Sequence, residues 1–226
     1  MTIATNLGEL QQQIAELTAK YHRPPHCVQL LAVSKNQTSD AIATAYAAGQ
    51  RAFGENYLQE ALTKISELKK FKIEWHFIGA IQSNKTKKLA EHFAWIHTVD
   101  NLSIAERLNK QRPENLPPLN ICLQVNISRD PNKAGCDPEN ILALAQACQK
   151  FSRLNLRGLM TIPLQNNSFT AQRAEFHKMF ELFQKLAKNG LEIDTLSMGM
   201  SDDLEAAIAE GSTMLRIGTK IFGVRF

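Results

Sequence analysis

The stretch Val28-Gln29-Leu30-Leu31-Ala32-Val33-Ser34-Lys35 contains the strand from which the fold prediction starts. Its valine and leucine side chains, with no charge before Lys35, are typical of a strand that is buried on both faces. A strand of this kind needs neighbouring strands and a cover of helices. The segments that follow in the chain supply the neighbouring strands and the covering helices.

Short apolar runs alternate with amphipathic segments after an opening helix at about 6–20. The predicted strands are 30–34, 52–54, 75–78, 95–99, 119–126, 156–161, 195–198 and 214–217. The predicted helices between them are 39–48, 56–70, 84–92, 101–111, 138–151, 170–188 and 202–209. Eight such repeats predict a parallel sheet with right-handed crossovers that closes into a barrel. The prediction is an α/β protein with a single (β/α)8 TIM barrel, an extra N-terminal helix, and one domain over residues 1–226.

An open doubly wound sheet is the alternative architecture for the same alternation of strands and helices. Its nucleotide-binding members have a glycine-rich turn after the first strand. This chain has Ser34-Lys35-Asn36-Gln37 there instead, which favours the barrel.

Composition excludes several classes of function. The net charge is +4, from 26 basic and 22 acidic residues, and no long basic block indicates nucleic-acid binding. The cysteines lack the Cys-x-x-Cys spacing of zinc or redox sites, so no metal site is predicted. The chain shows neither a signal peptide nor an apolar stretch long enough to span a bilayer, so we expect a soluble, cytoplasmic protein without membrane partners.

Lys35 lies at the tip of the first predicted strand, on the face of the barrel where functional residues collect. Lysine is among the residues that are least often buried. One explanation is that its side chain reaches out from the rim of the sheet to water. The other is a desolvated amine that attacks a carbonyl group and forms a Schiff base.

Small and polar residues collect at the tips of strands 7 and 8, in Ser197-Met198-Gly199-Met200-Ser201 and Arg216-Ile217-Gly218-Thr219. These two loops form the usual phosphate site of a barrel. The helix that follows strand 7 is predicted to begin at a cap on Ser201 or Asp202, where free amides favour an anion. The alternative is that the glycines only permit turns and Ser201 only caps the helix.

A Schiff-base lysine and a phosphate site on one face of a barrel suggest pyridoxal 5′-phosphate (PLP) as the cofactor. Its aldehyde would meet Lys35, and its phosphate would meet Ser201, Gly218 and Thr219. Arg216 would face the pyridine nitrogen or, alternatively, form a salt bridge inside the barrel.

These residues also carry a resemblance. The chain resembles the single-domain pyridoxal phosphate homeostasis proteins, which are similar to the N-terminal barrel of bacterial alanine racemase, fold type III of the PLP proteins. The matching stretches are Ala32-Val33-Ser34-Lys35, Phe53-Gly54-Glu55-Asn56-Tyr57-Leu58-Gln59-Glu60, His76-Phe77-Ile78-Gly79 with Gln82, Asn84 and Lys85, Gly158-Leu159-Met160, Leu196-Ser197-Met198-Gly199-Met200-Ser201-Asp202-Asp203, and Arg216-Ile217-Gly218-Thr219 with Ile221-Phe222-Gly223.

The resemblance implies a site with assigned roles. It implies PLP as a Schiff base on Lys35 and Arg216 at the ring nitrogen. His76 would lie beneath the site as part of its floor or, alternatively, would be a hydrogen-bonded histidine of the core. The cofactor-binding residues that it implies are Lys35, Asn56, Met200, Ser201, Arg216, Gly218 and Thr219.

The expected function is homeostasis of PLP and of amino and keto acids, without catalytic residues or clear turnover. Alanine racemase uses a second domain that supplies a tyrosine, and this chain ends at Phe226, just after the strand 8 loop. Racemisation needs an acid or base on each face of the ring, and the sequence indicates only Lys35. A weak PLP-dependent amino-acid racemase and a Schiff-base aldolase or phosphosugar enzyme are the alternatives. Expected partners are PLP, amino acids and PLP-dependent apoenzymes, and the expected state is a monomer.

Overall fold

Eight parallel strands close into a barrel in the computed structural model, which describes residues 2–164 and 168–223. The strands are β1 (Gln29–Val33), β2 (Ala52–Glu55), β3 (Glu74–Phe77), β4 (Trp95–Val99), β5 (Leu119–Gln124), β6 (Leu154–Met160), β7 (Thr195–Ser197) and β8 (Met214–Ile217). Each pairs with the next along the chain, and β1 pairs with β8, with Leu31 beside Arg216. The barrel prediction is therefore confirmed, and the open sheet is wrong because the first and last strands join.

Helices cover the outside of the barrel. They are α1 (Ile3–Lys20), α2 (Ser39–Ala47), α3 (Leu58–Glu67), α4 (Thr86–His92), α5 (Leu102–Gln111), α6 (Ile141–Cys148), α7 (Phe169–Lys188), α8 (Leu204–Ala209) and α9 (Thr219–Phe222). A 3-10 turn, Ser83–Lys85, precedes α4. Across residues 2–164 and 168–223, each helix is too short or too polar to cross a membrane.

Two apolar layers follow from the alternation of side chains along each strand. Leu30 and Ala32 face outward into the large core under the helices, whereas Leu31 faces the inside of the barrel. The interior cluster consists of Leu31, Ala52, Trp95, Cys122, Met160 and Met214. The same alternation directs Lys35 and Arg216 toward the barrel axis, at the end where the strands terminate.

The predicted N-terminal helix is confirmed as α1, which packs against α2, α8 and α9. Its apolar face buries Leu7, Leu10 and Ile14. Asn6 Nδ2 donates to the carbonyl of Ile221 at 2.9 Å, and Tyr21 Oη donates to Glu205 at 2.9 Å. The first helix therefore supports the two helices that follow β7 and β8.

Gly79, after β3, holds the loop after β2 in place through a close backbone approach. A Cβ atom at residue 79 would lie 2.0 Å from the carbonyl oxygen of Asn56, so only glycine fits there. The Gly79 carbonyl in turn accepts a 2.6 Å hydrogen bond from Thr98 Oγ1. The backbone that carries Asn56 is thus packed directly on the neighbouring loop.

Candidate cofactor site

A cavity of about 460 Å³ opens where the strands end, at the carboxyl face of the barrel. It brings together all the site residues predicted from the sequence: Lys35, Asn56, Met200, Ser201, Arg216, Gly218 and Thr219. Val33, Ile78, Ile162 and Asp202 complete the lining, and none of these four is predicted from the sequence as a cofactor-binding residue. The volume lies within the range of about 300–1,000 Å³ that small-molecule sites occupy.

Lys35 reaches the cavity because it shares the inward parity of Leu31 and Val33 on β1. Its side chain is only partly exposed, so the structure favours an amine in the site over a lysine that extends into bulk water. The next residue, Asn36, has φ +58°, in the left-handed region that non-glycine residues rarely adopt. The chain therefore turns sharply directly after Lys35.

The loops after β7 and β8 meet across the cavity. Ser201 Oγ lies 2.9 Å from Thr219 Oγ1, so two hydroxyl groups from different loops stand side by side. Gly199 has φ +100°, and a Cβ there would lie 2.5 Å from the Ala207 side chain. The glycine therefore lets the loop run close to α8 and keeps Ser201 at the cavity.

The predicted start of the helix after β7 is wrong. Neither Ser201 nor Asp202 caps it, because α8 begins at Leu204 with Asp203 as its N-cap. Asp203 Oδ1 accepts a 2.6 Å hydrogen bond from the amide of Met200, which closes a turn before the helix. The side chain of Ser201 therefore faces the cavity and Thr219 instead of the amides of α8.

Arg216 is 4% exposed and is held rigidly. Its Nη1 donates to the Ser197 carbonyl at 2.7 Å and to Ser197 Oγ at 2.9 Å, and its Nη2 donates to the Thr161 carbonyl at 2.8 Å. No carboxylate in residues 2–164 or 168–223 forms an ion pair with it, contrary to the salt-bridge alternative. Burial lowers the pKa of Arg216 to about 10, so it remains a cation at neutral pH.

A column of hydrogen bonds runs from Arg216 through the barrel interior. Ser197 Oγ lies 3.0 Å from His97 Nδ1, and His97 Nε2 lies 2.9 Å from His76 Nδ1. His76 Nε2 is 2.8 Å from Glu74 Oε1, at the start of β3. His76, predicted as the floor of the site, is therefore linked to Arg216 through two intervening side chains, and it is not in the lining of the cavity.

One assignment of donors and acceptors satisfies every group in this column, with each group donating toward Glu74. Arg216 donates to Ser197, and the Ser197 hydroxyl then donates to His97 Nδ1. His97 Nε2–H donates to His76 Nδ1, and His76 Nε2–H donates to the Glu74 carboxylate. Both rings are neutral in this assignment. Burial lowers the pKa of His76, and burial together with the positive charge on Arg216 lowers the pKa of His97 well below its ordinary value.

These two histidines predict acid sensitivity. Because the folded protein lowers the pKa of both rings, the unfolded chain binds protons below about pH 6.5 more readily than the folded protein, so stability is lost as the pH falls. We expect the free energy of unfolding in urea to decrease between pH 6.5 and 5 by up to roughly 1.4 kcal/mol per pH unit for each histidine. His76→Leu/His97→Leu should flatten this slope, and His92→Gln on the exposed end of α4 should not. A flat profile for the unsubstituted protein would mean that the column accepts a proton.

Asn56 carries an acceptor that no protein group satisfies. Its Oδ1 atom is buried and has no hydrogen-bond partner among the described residues. The side chain lies between the cavity that Lys35 and Arg216 line and a second cavity of about 460 Å³, which Tyr57, Gly79 and Lys85 also line. A buried polar atom without a partner costs free energy unless a ligand or water supplies a donor. Asn56 therefore fits a cavity that is built to hold a polar molecule.

The comparisons with known proteins agree over nearly the whole chain. Residues 5–226 match the model of the alanine racemase N-terminal domain. A pyridoxal phosphate homeostasis protein of Pseudomonas aeruginosa is 54% identical over 224 residues, which cover 99% of this chain and 96% of that one. Another, of Escherichia coli, is 50% identical over 226 residues, covering 99% of this chain and 97% of that one.

Solved structures also resemble this chain over nearly its whole length. PipY of Synechococcus elongatus with PLP bound superposes with a TM-score of 0.86 at 40% identity, covering 98% of this chain and all of that one. Alanine racemase of Corynebacterium glutamicum has a TM-score of 0.74 at 14% identity, covering 99% of this chain and 61% of that one, which shows a shared fold. This chain belongs to the family of pyridoxal phosphate homeostasis proteins.

Proposed function

We propose that this protein is a single-domain PLP-binding protein that holds the cofactor as a Schiff base on Lys35 and takes part in the intracellular balance of PLP and of amino and keto acids. The observation that carries the proposal is the convergence of one amine, one buried cation and two adjacent hydroxyls on a single cavity. The PLP-bound structure of PipY, a relative of 40% identity, supports the choice of ligand.

The lining suits the three parts of this cofactor. Lys35 offers the amine that condenses with an aldehyde, with loss of one water. Ser201 and Thr219 offer hydroxyl donors to a phosphate, and Gly218 leaves its backbone open to a close approach. Asn56 Oδ1 offers an acceptor to a ring hydroxyl. Bound PLP supplies an electron sink for carbanions, and the protein determines how strong that sink is.

Arg216 supports a holding role over catalysis. A fixed cation facing the pyridine nitrogen opposes its protonation, and the unprotonated ring is a weaker electron sink. The Ser197 and Thr161 contacts prevent Arg216 from turning away. The chemistry that the site favours is therefore reversible capture of the aldehyde.

Weak racemase-like activity is the second candidate, and one residue favours it. Asp202 is exposed and lines the cavity. Apart from Arg216, the described lining residues therefore include two acid–base groups, Lys35 and Asp202. The sequence alone indicates no acid–base group for racemisation besides Lys35. A carboxylate on the other side of a bound amino acid would supply the second proton-transfer group of a racemase.

Proton exchange separates the two candidates. The PLP-loaded protein is incubated with L-alanine in deuterated water, and deuterium at the α-carbon and D-alanine are measured. We expect exchange far slower than enzymatic turnover, which is typically about 1–10³ s⁻¹, and no D-alanine. Fast exchange together with D-alanine, with formation of D-alanine abolished by Asp202→Asn, would establish the racemase. Asp40→Asn, an exposed carboxylate on α2, is the matched control.

Partners and location complete the proposal. We propose that amino acids and PLP-dependent apoenzymes exchange PLP with this site, and that the protein acts as a monomer in the cytoplasm. The four cysteines, Cys27, Cys122, Cys136 and Cys148, are free thiols, as is usual in a reducing compartment.

A further inference from the structure

Helix α3 places a buried ammonium group behind the first strand. Lys64 is 4% exposed, although lysine is rarely buried. Its Nζ donates to three acceptors: the Ser34 carbonyl at 2.7 Å, Glu55 Oε1 at 2.8 Å and Glu60 Oε1 at 2.5 Å. All three donors of the ammonium are thereby used.

Lys64 and Glu60 bond to the backbone on both sides of Lys35. The Ser34 carbonyl belongs to the peptide group before Lys35, and Lys64 holds it. The Asn36 amide belongs to the peptide group after Lys35, and it donates to Glu60 Oε1 at 2.6 Å. Glu60 and Lys64 lie one turn apart on α3 and bind each other. The two peptide groups of Lys35 are therefore both held by one helix.

The backbone at this point needs such support. Asn36 lies in the left-handed region, which asparagine adopts more readily than most non-glycine residues but which still costs backbone energy relative to an extended or helical conformation. A further local hydrogen bond runs from the Gln37 amide to the Ser34 carbonyl at 3.0 Å. The contacts from α3 fix the turn that directs the side chain of Lys35 into the cavity.

Stability does not explain the buried charges. Burying an ion pair removes hydration that mutual attraction only partly replaces, and apolar substitutes are often as stable or more so. Glu55 is fully buried, and its Oε2 atom has no hydrogen-bond partner among the described residues. Burial raises the pKa of Glu55, so its charge is held at a cost. An apolar contact between α3 and β1 would give the same packing without that cost.

We propose that Lys64 and Glu60 are positioning residues, which orient Lys35 for condensation with the aldehyde by holding the peptide groups on both of its sides. This inference rests on the proposed Schiff base. The buried charges of α3 serve to orient the amine of Lys35. Their loss should weaken covalent capture of PLP much more than it weakens recognition of the ring and phosphate.

A pair of ligands tests the inference. PLP can condense with Lys35, whereas 4′-deoxypyridoxine 5′-phosphate has a methyl group in place of the aldehyde and cannot. For Lys64→Met we expect the affinity for PLP to fall on the order of 10- to 100-fold, as expected for a misplaced reacting group. The affinity for the analogue should change less than about twofold. Lys87→Met, in an exposed pair with Glu91 on α4, is the matched control and should leave both affinities unchanged.

Each outcome has a separate meaning. If the unsubstituted protein forms no Schiff base with PLP, the proposed function fails. If it does, and Lys64→Met binds both ligands like the unsubstituted protein, or loses both affinities equally, the positioning role is overturned. Should Lys64→Met fail to fold in a urea titration, Glu60→Ala replaces it, because that side chain is 27% exposed. A smaller loss confined to PLP is then expected, and no loss contradicts the inference.

Discussion

Lys35→Ala is expected to abolish covalent attachment of PLP completely while the barrel stays folded. The substitution removes the amine that lines the cavity, and the visible absorbance of the Schiff base should disappear with it. A lysine at a strand tip contributes little apolar packing, so the free energy of unfolding should change by roughly 1–2 kcal/mol or less. Some PLP should still bind without a covalent bond, through the loops that carry Ser201 and Thr219.

Borohydride reduction followed by peptide mass mapping measures this effect. In the unsubstituted protein, the pyridoxyl group should be found on the peptide that contains Lys35. Lys85→Ala is the control, because Lys85 lines the neighbouring cavity and not the proposed cofactor site. A pyridoxyl group on any other lysine, or its persistence in Lys35→Ala, would refute the assignment.

Ser201→Ala/Thr219→Ala is expected to give the second large effect, on recognition of the phosphate. Each hydrogen bond to a charged group contributes roughly 1.5–3 kcal/mol. The double substitution should therefore weaken PLP binding by about two orders of magnitude or more. Pyridoxal has the same aldehyde and ring but no phosphate, so its affinity should change little.

The ratio of the two affinities is the informative quantity. The hydroxyls of Ser201 and Thr219 also lie 2.9 Å from each other, so their removal loosens the contact between two loops. Loosening of the loops alone would weaken the binding of PLP and of pyridoxal to a similar degree. Loss of phosphate contacts would weaken the binding of PLP only. An unchanged ratio would show that these hydroxyls do not contact the phosphate. Thr44→Ala, on the exposed side of α2, is a control for loss of a hydroxyl.

The fold could be predicted because the pattern repeats. Each strand is a short apolar run and each crossover has helical periodicity, so eight repeats identify the barrel even where single boundaries are uncertain. The strand boundaries differ from the prediction by at most two residues. Helix α9 was missed because four residues are too few to show periodicity. The sequence predicts that α8 starts too early, because the side chain that closes the preceding turn, by accepting from the Met200 amide, is that of Asp203 and not of an earlier residue.

The cavity lining could also be predicted, since strand tips of a barrel meet at one face and unusual residues there stand out. The supporting groups could not. His76 and His97 are 21 residues apart and meet only because β3 pairs with β4. Lys64 looks like any polar residue of an amphipathic helix, and its burial depends on the contact of α3 with Ser34 and Glu55. The one available signal was Glu55, a charged residue in an otherwise apolar strand.

The pairing of β1 with β8 has a consequence for the order of folding. Lys35 follows the first strand of the barrel, whereas Arg216 and Thr219 lie on or directly after the last, and residues 31 and 216 are register partners. Contacts of such long sequence separation form late, because closing a long loop is entropically costly. A chain emerging from the ribosome therefore contains Lys35 long before it contains Arg216 and Thr219. Retention of the ligand should thus report that barrel closure is complete, and partly folded chains should release a reactive aldehyde instead of storing it.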